Sequence, residues 1–137
     1  MDCKDLTIYD YIKHNGVIKI VDAVYLYSVS VHDPSEEWSI SEAKTYPVDD
    51  IEPIELTEEI LVKNGFKKQE DVNEWSYYKS KDGKGQYMIL WSMDYNYLEI
   101  GSYTEEFGEF NRMGMMRYVH QLQHALRLCG IEKEIEL

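Results

Sequence analysis

An Asn15-Gly16 pair standing before two runs of strand-forming residues constrains this chain more than any other feature. The runs are Val17-Ile18-Lys19-Ile20-Val21 and Ala23-Val24-Tyr25-Leu26-Tyr27-Ser28-Val29, rich in β-branched and aromatic side chains that suit a pleated, half-buried surface. Asn-Gly is the strongest short-range hairpin signal, so Tyr9 to Lys13 is predicted as the strand before the turn. A break at Asp33-Pro34-Ser35 precedes a weaker strand around Trp38-Ser39-Ile40. Three or four short strands within about 45 residues imply a strongly bent sheet, of the kind that forms a small SH3-like barrel.

Pro47 and Pro53 punctuate a connecting stretch, after which every helix-end signal agrees. Thr57 is a good N-cap, and Glu58 and Glu59 occupy the first turn, where the helix dipole favours anions. Leu56 and Leu61 have the spacing of a hydrophobic staple, and Asn64-Gly65 closes the helix with Gly65 as the left-handed residue. An antiparallel meander follows: Trp75 to Lys79, a loop over Ser80–Gly85, Gln86 to Trp91, and Tyr97 to Ser102. Met115, Val119, Leu122 and Leu126, widened by Tyr118 and Ala125, predict a main helix over Met113–Leu128, ended by Gly130. Ile131, Lys133, Ile135 and Leu137 alternate with Glu132, Glu134 and Glu136, which reads as a charged edge strand. The expected class is α+β: an N-terminal β-rich lobe, then a helix, a meander and a C-terminal helix with an edge strand. The lobes fall at 1–52 and 53–137 within one compact unit.

With 137 residues, the chain buries roughly two-thirds of its unfolded surface, enough for a core without disulfides or metals. The net charge is −12, from 26 acids against 14 bases, which disfavours direct nucleic-acid binding and anionic membrane surfaces. Nine of the acids (Glu36, Glu37, Glu42, Asp49, Asp50, Glu52, Glu55, Glu58 and Glu59) fall between positions 36 and 59 with one base, Lys44. Such a stretch meets a basic partner, imitates nucleic acid, or simply solvates a face. Cys3 and Cys129 make no disulfide framework and no Cys-x-x-Cys pair. The opening residues lack the features of a signal peptide, and no apolar run approaches the roughly 20 residues that span a bilayer, so a cytoplasmic protein is expected.

Chemistry-bearing patterns are few. His120 and His124 lie four residues apart on one helix face and could share a metal, but the zinc-protease pattern needs Glu where this chain has Gln121. Asp82-Gly83-Lys84-Gly85 joins strands and lacks the form of a phosphate loop. No Ser sits in a Gly-x-Ser-x-Gly turn. Tyr77, Tyr78, Tyr87, Tyr95, Tyr97 and Tyr103 cluster with Trp75 and Trp91, as a Tyr-rich core or as an interface, where Tyr and Trp are favoured.

Tyr118-Val119-His120-Gln121-Leu122-Gln123, followed by Leu128-x-Gly130 and the Glu-rich end, resembles a family of small uncharacterised proteins of gut anaerobic bacteria and their phages and mobile elements. Ile51-Glu52-Pro53-Ile54-x-Leu56-Thr57-Glu58-Glu59-Ile60-Leu61-x-x-Asn64-Gly65-Phe66 is similar to the central motif of that family, and Tyr11-Ile12-Lys13-x-x-Gly16-Val17 to its opening strands. The chain departs from it at His124-Ala125-Leu126-Arg127, where the family has more aromatic residues. The resemblance implies context, an accessory gene of phage or mobile-element type, and carries no activity onto any residue. The resulting expectation is a binding protein with no cofactor and no catalytic residues, acting on a protein partner of basic character. Its contacts would be Glu36, Glu37, Asp49, Asp50 and Glu52, or Trp75, Tyr77 and Trp91. The alternatives are a small metal-dependent or hydrolytic enzyme using His120 and His124, or a virion structural component. No feature fixes the oligomeric state.

Overall fold

The computed structural model describes residues 1–34, 43–69, 74–81, 84–92, 98–104 and 109–137, with backbone alone for residue 69 and for the strand residues within 74–100 and 102–113. Asn15 and Gly16 both take positive φ, 50° and 77°, as a tight primed turn demands. They join β1 (Tyr11–His14) to β2 (Val17–Val24) in the register Tyr11↔Ile20 through His14↔Val17. β3 (Ser28–His32) pairs with β2, and β4 (Lys44–Pro47) with β3. A 3-10 turn, Val48–Asp50, then carries β5 (Ile51–Glu52) back to the free side of β1. The order is β4-β3-β2-β1-β5, all antiparallel. A four-strand meander whose fifth strand returns to the first has the connectivity of an SH3-like sheet, as the bent-sheet reading expects.

One face of this sheet makes the core of the first unit. Ile12, Val21, Val29, Val31 and Ile51 are buried together with Cys3 and Leu6 from the N-terminal segment. Each such aliphatic side chain contributes about 1.5–3 kcal/mol when fully buried. Two expectations change here. Ala23–Val29 is not one strand: β2 ends at Val24, β3 begins at Ser28, and Tyr25–Tyr27 form the turn between them. The stretch around Pro47 and Pro53 is more than a connection, because it supplies β4 and β5. The expected strand at Trp38–Ile40 lies outside the described residues.

In the second unit α1 (Glu58–Lys63) forms as its end signals require. Thr57 caps it, its hydroxyl accepting from Ile60 N at 3.3 Å. At the other end Phe66 N donates to Leu61 O and Gly65 N to Val62 O, the paired bonds of a Schellman motif. The meander is larger than expected. Five strands run in sequential order: β6 (Lys67–Gln69), β7 (Glu74–Lys81), β8 (Lys84–Ser92), β9 (Leu98–Thr104) and β10 (Glu109–Met116). The loop expected over Ser80–Gly85 is narrower, since Ser80↔Gly85 and Lys81↔Lys84 are paired.

The main helix, α2, spans Val119–Leu128 and not Met113–Leu128. Residues 113–116 belong to β10: Met113 sits in a bulge and positions 114–116 pair with β9, where the helical period alone pointed otherwise. Gly130, at φ 68°, ends α2 with Gly130 N→Arg127 O and Ile131 N→Leu126 O. The segment Ile131–Leu137 joins no sheet, contrary to the edge-strand expectation. Its alternation instead buries Ile131 and Ile135 while Glu132, Glu134 and Glu136 stay exposed.

The chain divides into two compact units, Met1–Glu55 with Tyr118–His120, and Leu56–Arg117 with Gln121–Leu137. The expected cut lay after residue 52. In the first unit Glu55 and Tyr118 form an antiparallel bridge, and Val119 N donates to Ile54 O at 2.9 Å. The fold is α+β, with a β-rich N-terminal part and a C-terminal helix. Among the described residues no helix is long and apolar enough to cross a membrane.

Candidate functional site

The acidic stretch is a surface feature where it is described. Asp49, Asp50, Glu52, Glu55, Glu58 and Glu59 are all exposed; Glu36, Glu37 and Glu42 lie outside the described residues. Asp49 and Asp50 sit in the 3-10 turn, and Glu52 follows on β5, an edge strand, opposite Lys13. Three of the five expected acidic contacts thus fall within four residues, on the 3-10 turn and on the edge strand that follows it.

Beside them is a feature the sequence reading missed. Tyr25, Leu26 and Tyr27 are 54%, 74% and 76% exposed at the tip of the β2–β3 hairpin. The tip is anchored by Tyr25 N→Ser28 O and by Val48 N→Tyr27 O, both 2.9 Å. Below it Val24 pairs with Val29, which is fully buried. The second anchor brings the 3-10 turn with Asp49 and Asp50 alongside Tyr27. The N-terminal turn Cys3–Asp5 also reaches the base of the tip, with Cys3 Sγ 3.8 Å from Ser28 O. Burial pushes the Cys3 thiol above its ordinary value, and the carboxylates of Asp2 and Asp49 push it further. Asp2 caps the N-terminal turn and Asp49 lies in the 3-10 turn bonded to Tyr27, with Lys4 as the one cation of the N-terminal turn. The result is an exposed apolar projection with an acidic border.

The polar residues of β2 and β3 make a second cluster. A bulge between Val21 and Ala23 leaves Asp22 out of the ladder and turns it toward His32, whose Nδ1 it meets. Both side chains are buried, and among the described residues Asp22 Oδ2 has no hydrogen-bond partner. Ser30, two positions before His32, bonds Thr45 hydroxyl to hydroxyl at 2.7 Å. A carboxylate–imidazole pair can orient a general base, and the hydroxyl of Ser30 on the same strand is bonded to Thr45. Lys19 pairs with Asp33 and holds that carboxyl below the usual carboxylate range.

Backbone register separates the expected aromatic contacts. Positions 75 and 77 face with 90 and 88, whereas position 91 lies on the opposite face with 74 and 99. On the face of Trp91, Tyr78, Tyr87, Tyr103 and Phe110 occupy one row across four strands. Met115, in the row of Glu99 and Trp91, is 57% exposed, against 2% for Met116 beside it. Tyr95 and Tyr97 lie outside the described residues.

His120 is buried in the first turn of α2 and stacks on Tyr118, ring centroids 5.8 Å apart; His124 follows one turn later, half-buried. Among the described residues no group of three His, Cys, Asp or Glu could hold a metal ion. No family model matches the chain, and neither a curated protein nor a solved structure matches it.

Proposed function

We propose that the chain is an accessory binding protein of phage or mobile-element type, cytoplasmic and non-enzymatic, which acts by occupying a protein partner. The observation that carries this reading is the Tyr25-Leu26-Tyr27 tip: three consecutive large apolar side chains stay in water, two of them more exposed than any other described apolar residue of the first unit. Exposed apolar projections with polar borders are the mark of interaction sites, where tyrosine contributes large contact area at low entropic cost. The resemblance of Ile51–Phe66 and Tyr118–Gln123 to proteins of mobile elements supplies the context.

The test is capture by the tagged full-length chain from lysate of an anaerobic gut bacterium, with and without nuclease, read by mass spectrometry. A stoichiometric protein that survives nuclease is the expected result. Bare beads, or only material that nuclease removes, would overturn the reading.

A further inference from the structure

On the strength of the binding reading above, we infer that the Tyr25-Leu26-Tyr27 tip is its anchor, and that the tip is received by an apolar pocket rimmed with Lys and Arg on a partner protein. Hairpin tips are ordinarily built from Gly, Asn, Asp or Pro, which supply the turn conformation. None of these residues stands at positions 25–27, so turn geometry does not explain the choice. Core packing does not explain it either, since all three side chains are exposed and none belongs to the core cluster of the first unit.

The projection is held at its base. Its two backbone bonds, Tyr25 N→Ser28 O and Val48 N→Tyr27 O, tie it to β3 and to the 3-10 turn, and the Val24–Val29 pair seats it on the core. An anchor already fixed in one conformation loses little entropy on docking, which favours insertion into a pocket.

Charge selects the occupant. Asp2, Asp5, Asp49 and Asp50 are exposed on the two turns beside the tip, against Lys4 alone. A second copy would bring the same carboxylates face to face on chains of net charge −12, and nucleic acid or an anionic membrane would add negative charge to negative charge. A protein surface with a cationic rim is complementary to this border, and it matches the aromatic centre and polar rim of ordinary interfaces.

The probe is a benzophenone side chain placed at Tyr27 of the full-length protein, irradiated in the same lysate, with the crosslinked peptide mapped by mass spectrometry. A benzophenone at Val62, exposed on α1 in the other unit, is the control. The expected product is a crosslink from position 27 alone, to a partner segment with apolar residues flanked by Lys or Arg. Leu26→Ser with Tyr27→Ser is expected to lower partner retention by about tenfold or more. Leu128→Ser, equally exposed at the end of α2, leaves it unchanged. Raising ionic strength from about 0.01 to about 1 M weakens retention further, because screening shortens from about 30 Å to about 3 Å. A crosslink to a second copy, to lipid or to nucleic acid, or to an acidic or neutral segment, overturns the inference. So does a stoichiometric partner that the tip variant still holds, and in that case the binding reading stands while the anchor lies elsewhere. Capture that fails in every form brings down the binding reading itself.

Discussion

The side-chain amide of Asn64 holds Glu136 by both of its backbone groups: Asn64 Nδ2 donates to Glu136 O and Glu136 N donates to Asn64 Oδ1, each at 2.7 Å. The same Nδ2 also donates to Ile60 O at 2.7 Å, so one buried side chain closes α1 and ties down the C-terminal segment. A carboxamide presents a donor and an acceptor side by side, as a neighbouring strand would, which is how Ile131–Leu137 is held without belonging to a sheet.

Asn64→Ala removes these bonds and leaves the Glu136 amide and carbonyl without this partner. A buried group left unsatisfied costs about 1–3 kcal/mol, so urea unfolding of the variant is expected to show a loss of that size. Asn64→Asp keeps the acceptor but loses the donor, and sets a carboxylate against two carbonyl oxygens; it is expected to be no better than Ala. Hydrogen exchange at Glu136 should quicken in both variants. An unchanged unfolding midpoint would show that the clamp contributes nothing.

Gly16 offers a cleaner backbone test. A Cβ added there meets no atom within 4 Å, so any cost of Gly16→Ala comes from holding φ at 77°. That strain is expected to destabilise the first unit by about 1 kcal/mol, while Asn15→Gly, which relieves a non-glycine residue at φ 50°, changes stability by less. Thermal unfolding followed on both variants checks the order.

Asp33 gives a prediction with pH. Lys19 donates a hydrogen bond to its carboxylate and, with Lys44 and His32, lowers its folded value below the ordinary one near 3.8. A carboxyl depressed by folding adds stability that is present above the unfolded value and is lost as pH falls through the folded value. Asp33→Asn should therefore lower the neutral plateau slightly and flatten the limb below about pH 4 by the same amount, with the two profiles converging at the acid end. The opposite sign at acid pH would refute the pairing.

The helix at Thr57–Gly65 was legible because its signals are local: a cap, a charged first turn, a staple and a glycine lie within ten residues. The Asn15-Gly16 hairpin was legible for the same reason. What long-range pairing decides was not. Met115 satisfies the apolar period of α2, yet its ladder partner is Glu99, and only the fold could favour the strand. Asn64 and Glu136 are 72 residues apart, and a sequence shows nothing of their contact. The tip was misread because Tyr25 and Tyr27 are strand formers set between Val24 and Val29, and local propensity cannot show that a chain turns on residues that prefer to run straight. The six described acids of the stretch, Asp49 to Glu59, were legible as exposed, since isolated carboxylates are almost never buried.

That misreading supplies the last prediction. If Tyr25, Leu26 and Tyr27 served the fold, replacing them would cost stability as core residues do, about 2–5 kcal/mol for a large aliphatic side chain cut to Ala. Their exposure predicts otherwise: Leu26→Ser and Tyr27→Ser should each stay within about 0.5 kcal/mol of the parent in urea unfolding, as surface substitutions do. Soluble yield should hold or rise, because an exposed apolar projection leaves the surface. Leu126→Ala, buried on α2, is the internal comparison and should fall by about 2–5 kcal/mol. A large loss at the tip would assign these side chains to packing, and any binding defect of the same variants would then report unfolding. Stability kept at the tip alongside a loss at Leu126 leaves partner contact as the role that three exposed apolar residues on a fixed turn can fill.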